Sequence, residues 1–304
     1  MAMTHAQFAN TVSIQFFQPA FRVGREDDAW DWKSQYTMKT STRSGEQQFS
    51  IGSLGAAAVT GINEVVHFMD LSEQDKTTWT HTTFTAGVQL PKQLIEDSQY
   101  VDFLKEAGAG LGKSHSYVRS LYAAYPFIRA FDSTYPMFDG VELCGSHTNQ
   151  NGDTIDNDQA SQSIDWQGIW DHVMYFEYGM VDEAGLPYGD DPADLVFHPS
   201  ELPEVRKALE AVWEPDTGHR NPQTLSKYNI NAIPCRFLTA TSSVYPWFLT
   251  GKKFKADMIF WNRLSPTVEQ SDEAGFTTYG ILFRSRQRFS CGPKHYIHVN
   301  GNPG

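Results

Sequence analysis

The chain has 304 residues, 40% of them hydrophobic and 20% charged, with a net charge of −12. That balance describes a folded globular chain, and its acidity excludes a nucleic-acid reader that grips phosphates with a broadly basic surface. No apolar run reaches the roughly 20 residues of a membrane-spanning helix, and Met1 to Gln18 lacks the basic and apolar regions of a signal peptide. Cys144, Cys235 and Cys291 are too few and too scattered for a disulfide framework or a zinc knuckle, so a reducing compartment is expected.

The first 35 or so residues read as an extended arm. Phe16, Phe17, Pro19, Phe21, Trp30 and Trp32 fall among polar residues without helical periodicity. So many aromatic rings are expected to lie across another surface. From Tyr36 to about Thr82 the chain is rich in Ser, Thr and Gly and has little to build a core from. It suits a projecting loop or a two-stranded ribbon, whose ordering entropy calls for a partner. Thr77 to Leu90 reads as one strand, with Thr78, Thr80, Thr82, Phe84, Ala86, Val88 and Leu90 on one side.

Pro91 to Glu96 is a short helical turn. A long helix then runs from about Gln99 to Tyr125 and is expected to end at Pro126. Its buried stripe is Leu104, Gly108, Leu111, His115, Val118, Tyr122 and Tyr125. Gly108, Gly110 and Gly112 each weaken the helix by roughly 1 kcal/mol against Ala, which makes sense if a backbone crosses closely there or the helix bends.

Asp139 to Ser161 reads as a polar loop. Ile164 to Tyr178 is a second helix with Ser163 as cap and with Ile164, Gly168, Asp171, Tyr175 and Tyr178 near one face. A short strand, Asp194 to His198, precedes an amphipathic helix, Glu201 to Val212, whose inner side is Val205, Leu209 and Val212. Ile230 to Phe237 and Ser243 to Leu249 are short strands that Pro234 and Pro246 place at edges. In the last long strand, Thr277 to Cys291, Tyr279, Ile281 and Phe283 face one way and Arg284, Arg286 and Arg288 the other. Together these elements make a mixed α+β chain.

Charge is segregated. No Lys or Arg occurs between Arg129 and Arg206, whereas Lys252, Lys253, Lys255, Arg284, Arg286 and Arg288 make the C-terminal part locally basic. Unlike faces of this kind can meet across copies, although solvated surface charge explains them too. The arginine row requires carboxylates or phosphates nearby, supplied by its own chain, a neighbouring subunit or packaged nucleic acid.

Residues with chemical potential do not assemble into a motif. Cys144 and His147 offer a thiol near an imidazole without the flanking features of cysteine-protease signatures. Asn149, Asn151, Asp153, Asp156 and Asp158 are oxygen-rich, but an EF-hand counted from Asp153 would need Gly and Glu where Asp158 and Ile164 stand. His295 and His298 are spaced for opposite faces of a strand, and no phosphate loop or nucleophile elbow is present. Aromatic content of 13% leaves sugar stacking as a further reading. No catalytic residue, metal or cofactor is expected.

The order of elements resembles the major capsid proteins of tailed bacteriophages, the Hong Kong 97-type fold. The segment TFTAGVQLPKQLIEDSQY is similar to the strand and turn entering that family's spine helix, especially in Mu-like head subunits. ADLVFHPSELPEVRKAL resembles the axial-domain strand and helix, NAIPCRFLTA a later strand, and FTTYGILFRSRQRFSC the long return strand. The resemblance implies an N-terminal arm (1–35), an extended loop (36–83), a peripheral domain with a spine helix (84–159), an axial domain (160–258) and return strands to the peripheral domain (259–304).

It further implies a subunit that assembles as hexamers and pentamers into an icosahedral shell around double-stranded DNA, without sequence-specific contact and without a membrane. Assembly in the host bacterial cytoplasm, a portal and a separate scaffolding protein are expected, the last because the arm starts almost at Met1. Lys39 and Lys76 flank the loop, but no cross-linking pair is expected. The expected subunit contacts are Phe16, Phe17, Phe21, Trp30, Trp32, Arg43, Arg284, Arg286 and Arg288. An encapsulin-like nanocompartment and a hydrolase using Cys144 and His147 are the alternatives.

Overall fold

The computed structural model describes residues 13–51, 56–57, 59–60, 65–66, 68, 73–91, 93, 100–149, 152–159, 162–182, 184–210, 224–240, 244–271 and 280–304. The start of the arm, most of the turn after Pro91, and the expected positions of Val212 and Tyr279 lie outside the described residues. In chain order the first elements are α1 (Gln18–Gly24), β1 (Thr37–Thr40), β2 (Gly45–Ile51), β3 (Glu73–Thr80), β4 (Thr82–Pro91) and α2 (Tyr100–Ile128). Next come β5 (Ser146–Thr148), β6 (Thr154–Asp156), α3 (Trp166–Met174), β7 (Pro192–Phe197), α4 (Leu202–Glu210) and β8 (Asn231–Pro234). The chain closes with β9 (Trp247–Gly251), α5 (Phe254–Asp257), β10 (Met258–Ser271), β11 (Gly280–Pro293) and β12 (Val299–Asn302).

Two four-stranded sheets organise these elements. The first has the order β1-β10-β11-β4, with β1 parallel to β10 and the other pairs antiparallel. The second has the order β12-β9-β7-β8, with only β7 and β8 parallel. β2 and β3 form a separate antiparallel ribbon, from Gly45 opposite Thr80 to Ile51 opposite Glu73. The ribbon expected from composition is therefore present. Thr37 to Thr40, by contrast, belongs to the first sheet and not to a loop.

One hydrophobic core joins both sheets, running through Trp32, Phe127, Phe176, Phe248, Phe260 and Phe289. Phe260 stacks on Phe289, and Phe289 on Phe84, across three adjacent strands. β9 is buried along its whole length, as a central strand should be. Pro234 sits on the edge strand β8, as expected, because it has no N–H for a ladder. Pro246 does not mark an edge: it immediately precedes central β9.

Several sequence expectations need correction. The strand expected from Thr77 to Leu90 is two strands, because the inward parity switches at His81. Trp79 and His81 are buried on one side of the switch, and Leu90 is buried with Phe84, Ala86 and Val88 half-buried on the other. α2 continues through Pro126 to Ile128, and the Arg129 N–H still donates to the Tyr125 carbonyl at 2.9 Å. The stretch from Asp139 to Ser161 contains the β5–β6 hairpin. The cap of α3 is Asp165, whose Oδ1 accepts the Gly168 N–H, and not Ser163. The inner face of α3 is Gly168, Ile169, His172 and Val173, followed by Tyr175 and Phe176, and Tyr178 is exposed.

The close backbone crossing expected on α2 is real, and its partner is the chain's own N-terminal segment. A Cβ on Gly108 would lie 2.8 Å from the Phe17 carbonyl oxygen. One on Gly112 would collide with the Phe21 carbonyl, and one on Gly24 with the Ala109 carbonyl. Gly110 faces open space. The two helices therefore touch backbone to backbone, which only glycine allows.

Gly112→Ala is expected to lower the thermal midpoint, because overpacking of about 1–3 kcal/mol exceeds the helix-propensity gain of roughly 1 kcal/mol. Gly110→Ala is expected to raise it, having the gain without the collision. Circular dichroism melts of both variants decide this, and equal shifts would disprove the tight crossing.

Candidate assembly surfaces

β11 alternates between buried and exposed residues through its middle, so Arg284 and Arg286 point outward as the sequence predicts. Strand register then supplies a partner. Arg284 lies opposite Glu269 on β10, its Nη2 is 2.5 Å from Glu269 Oε2, and Arg286 Nη2 is 3.1 Å from Glu269 Oε1. The Arg284 hydrogen bond and the Arg286 charge hold the Glu269 carboxyl below its usual range. Two of the three arginines in the row are thus paired within their own chain, sharing one carboxylate.

Arg288 belongs to a different group. It reaches the foot of the ribbon, where its Nη2 donates to the Ser44 carbonyl at 3.4 Å. Arg263 Nε donates to the neighbouring Arg43 carbonyl at 3.2 Å. The ladder register of β10 shifts between Asn262 and Leu264, leaving Arg263 at the irregularity and free to turn toward the ribbon. Arg43 itself is largely exposed and 4.0 Å from Glu46. His81 sits buried among these groups, bonded to Ser41 and Ser290. Burial, followed by the Arg288 charge, lowers its pKa. Arg263 was missed in the sequence because it stands on a neighbouring strand, and only pairing brings it to Arg43 and Arg288.

The aromatic arm is not laid out for a neighbour. Phe17 stacks on Phe283 with ring centroids 4.3 Å apart, and Phe21 is buried at the crossing with α2. Trp30 Nε1 donates to the Ser120 carbonyl at 2.9 Å, and Trp32 packs on Phe260. Phe16 is half-buried against the same small cluster as Phe17. The expectation that Phe17, Phe21, Trp30 and Trp32 contact another subunit is corrected: the chain's own helix and sheet cover them. Val23 is the exposed large apolar side chain of the arm's described residues, and a group of others, Phe49, Val59, Val65, Val66 and Phe68, lies on the ribbon and the segment joining its strands.

A group of acids gathers on the other sheet. Asp158 bridges to Gly301 of edge strand β12, and Asp156 is on β6. Burial, reinforced by the charges of Asp156 and Glu142, pushes Asp158 up to about 6. Burial, followed by the charges of Asp158 and Glu142, drives the Cys144 thiol well above its usual pKa. That thiol is fully buried, and His147 is turned away from it, with Nδ1 2.5 Å from Asp139 and Nε2 3.4 Å from the Leu143 carbonyl. A protonated, enclosed thiol without a base is not a nucleophile.

The Asn149 loop satisfies itself, Asn149 Oδ1 accepting the Asp153 N–H at 2.8 Å. His298 lies 3.0 Å from Asp190 and 3.6 Å from Asp257, joining the second sheet to the start of β10. Among the described residues no group of three His, Cys, Asp or Glu is placed to hold a metal ion. No helix among them is long and apolar enough to cross a membrane.

No protein-family model matches the chain, and no curated protein does. Solved structures do. A chain in the capsid structure of cyanophage P-SCSP1u superposes with a TM-score of 0.61 at 9% identity, over 90% of this chain and 88% of that one. A chain in the acid-stable capsid of Helicobacter pylori bacteriophage KHP30 gives 0.57 at 10% identity, over 88% and 86%. One from Mycobacterium phage Adephagia gives 0.57 at 12% identity, over 89% and 88%. The fold is therefore that of tailed-phage capsid proteins, the Hong Kong 97-type fold that the order of elements resembled.

Because ionising Asp158 costs the folded chain more than the unfolded one, its contribution to stability is lost as pH rises through about 6. Asp158→Asn removes that loss. In the unassembled chain it is expected to raise the melting midpoint by about 2 °C at pH 8, with little change at pH 4. An equal shift at both pH values would contradict this account.

Proposed function

We propose that the chain is the major capsid subunit of a tailed phage, assembling as hexamers and pentamers into an icosahedral shell around double-stranded DNA. The observation that carries this reading is the match to phage capsid chains along nearly the whole length of both partners. A fold shared from end to end leaves little of the chain for another task, although fold alone does not dictate function. The apolar side chains exposed on and beside the ribbon support it, because a lone chain gains nothing by presenting them to water.

On this reading, the β1-β10-β11-β4 sheet with α2 as its spine forms the peripheral domain. The β12-β9-β7-β8 sheet forms the axial domain near the capsomer centre, and the ribbon is the extended loop. β12 and the short β1 cross the boundaries expected from sequence, each joining a sheet outside its own segment. Interfaces of roughly 2,000 Å² or more between copies would offset the entropy of ordering the ribbon. The segment from Thr83 to Tyr100 supports a place near Mu-like head subunits. Assembly in the bacterial cytoplasm with a separate scaffolding protein and a portal completes the proposal. The full burial of Cys144, with His147 Nε2 directed at the Leu143 carbonyl, supports the shell reading over a hydrolase.

Expressed with and without a scaffolding protein, the chain is expected to form capsomers or closed particles on size-exclusion chromatography and negative-stain microscopy. A species that stays at 34.3 kDa under every condition would overturn the reading. DNA inside native particles separates a phage head from a nanocompartment, which would hold protein.

A further inference from the structure

Among the described residues, two clusters of charge are short of counter-charge. At the foot of the ribbon, Arg263 and Arg288 donate to the carbonyls of Arg43 and Ser44, and Arg43 extends its own largely exposed side chain from the same turn. Among the described residues Glu46 is the one carboxylate in range, 4.0 Å from Arg43 and already accepting the Ser41 hydroxyl at 2.6 Å. Beside edge strand β12, Glu142, Asp156 and Asp158 crowd one another. Among the described residues no Lys or Arg lies within ion-pair distance of those three acids. The arginines stand on the first sheet and at the ribbon's foot, the acids beside β6 and β12.

Holding like charges together without counter-charge raises the free energy of the isolated chain. A polyanion such as nucleic acid would relieve the arginines and leave the acids as they were. A second copy relieves both clusters with one contact, because each copy carries both.

We propose that the Arg43, Arg263 and Arg288 patch of one copy receives the Glu142, Asp156 and Asp158 patch of a second copy. This rests on the shell reading and names a contact within it. Within the hexamers and pentamers of the shell reading the contact is head-to-tail, repeating around the ring until it closes. Charge complementarity of this kind also fixes register between neighbours, because a misplaced copy would set arginine against arginine.

The test is a charge exchange in the full chain, with particles counted by negative stain and folding checked by thermal melts. Arg43→Glu with Arg288→Glu, and separately Glu142→Lys with Asp156→Lys, are each expected to cut particle yield at least about tenfold. A chain carrying all four substitutions is expected to recover most of the wild-type yield, since the contact is restored with signs reversed. Failure of the four-fold variant to recover, while it melts like wild type, would overturn the proposal. So would loss of particles on arginine reversal alone, with the acid reversal harmless, which would assign the arginines to another polyanion. If the wild-type chain itself never assembles, the shell reading falls and the contact with it. If the wild type assembles and neither reversal matters, the contact alone falls.

A second measurement does not depend on yield. Arg43→Cys combined with Asp156→Cys, treated with a short bis-maleimide during assembly, is expected to give a ladder of covalent oligomers on a denaturing gel. Cys144 and Cys235 are buried and Cys291 is half-buried, which keeps background labelling low. A ladder no stronger than that of either single cysteine variant would contradict the contact.

Discussion

The crossing of α1 over α2 is the constraint from which most of the structure follows. Gly24, Gly108 and Gly112 let two backbones meet at a distance that no side chain would permit. The segment after the crossing is then tied along α2 by polar contacts. Ser116 donates to Asp28 at 2.8 Å, Arg119 donates to the Arg25 carbonyl at 2.7 Å, and the Ala29 N–H donates to Ser120 at 3.2 Å. Held in that position, the chain delivers Trp30, Trp32 and Tyr36 into the main core, where the Tyr36 hydroxyl donates to the Ala123 carbonyl at 2.8 Å. β1 follows directly and seals the edge of β10. A loosened crossing would therefore release the N-terminal aromatics and the first strand together.

The same geometry explains what the sequence could and could not reveal. Ile281, Phe283 and the outward arginines were legible because a half-buried strand alternates strictly. The second buried face of α2, formed by Gly112, Ser116, Ser120, Ala123 and Ala124, was invisible to a search for large apolar residues. Small and hydroxyl side chains look like surface until another backbone is known to rest on them. The arm was misread for the same reason. Its rings follow no helical period because π-helix, α-helix and loop succeed one another within 20 residues. Nothing in a linear pattern says whether a neighbour or the same chain covers them, and the glycines on α2 fitted a crossing or a bend equally well.

Of the surfaces that bear on assembly, the Arg284, Arg286 and Arg288 row could be read in advance, but its division could not. Register gives Glu269 to two of the three, and a ladder irregularity recruits Arg263 to the third. The acids at Glu142, Asp156 and Asp158 are separated by 14 and 2 residues, and a hairpin folds them together. Such constellations depend on which strands lie side by side, a property of topology that composition and spacing do not carry.

The ribbon meets the body of the subunit through its own small cluster, Trp79 against Ile259 and Trp261, outside the main core. One tryptophan buries on the order of 200 Å², so the seat is worth roughly 5 kcal/mol at 25 cal/mol per Å². Swinging the ribbon about its foot thus forfeits that seat and the few polar contacts beside it, such as Thr77 to the Lys294 carbonyl and Arg288 to the Ser44 carbonyl, while the main core keeps its packing. A neighbouring surface several times larger can outweigh that seat and dictate the angle. On the shell reading, a limb seated so lightly lets one sequence occupy positions of unequal curvature.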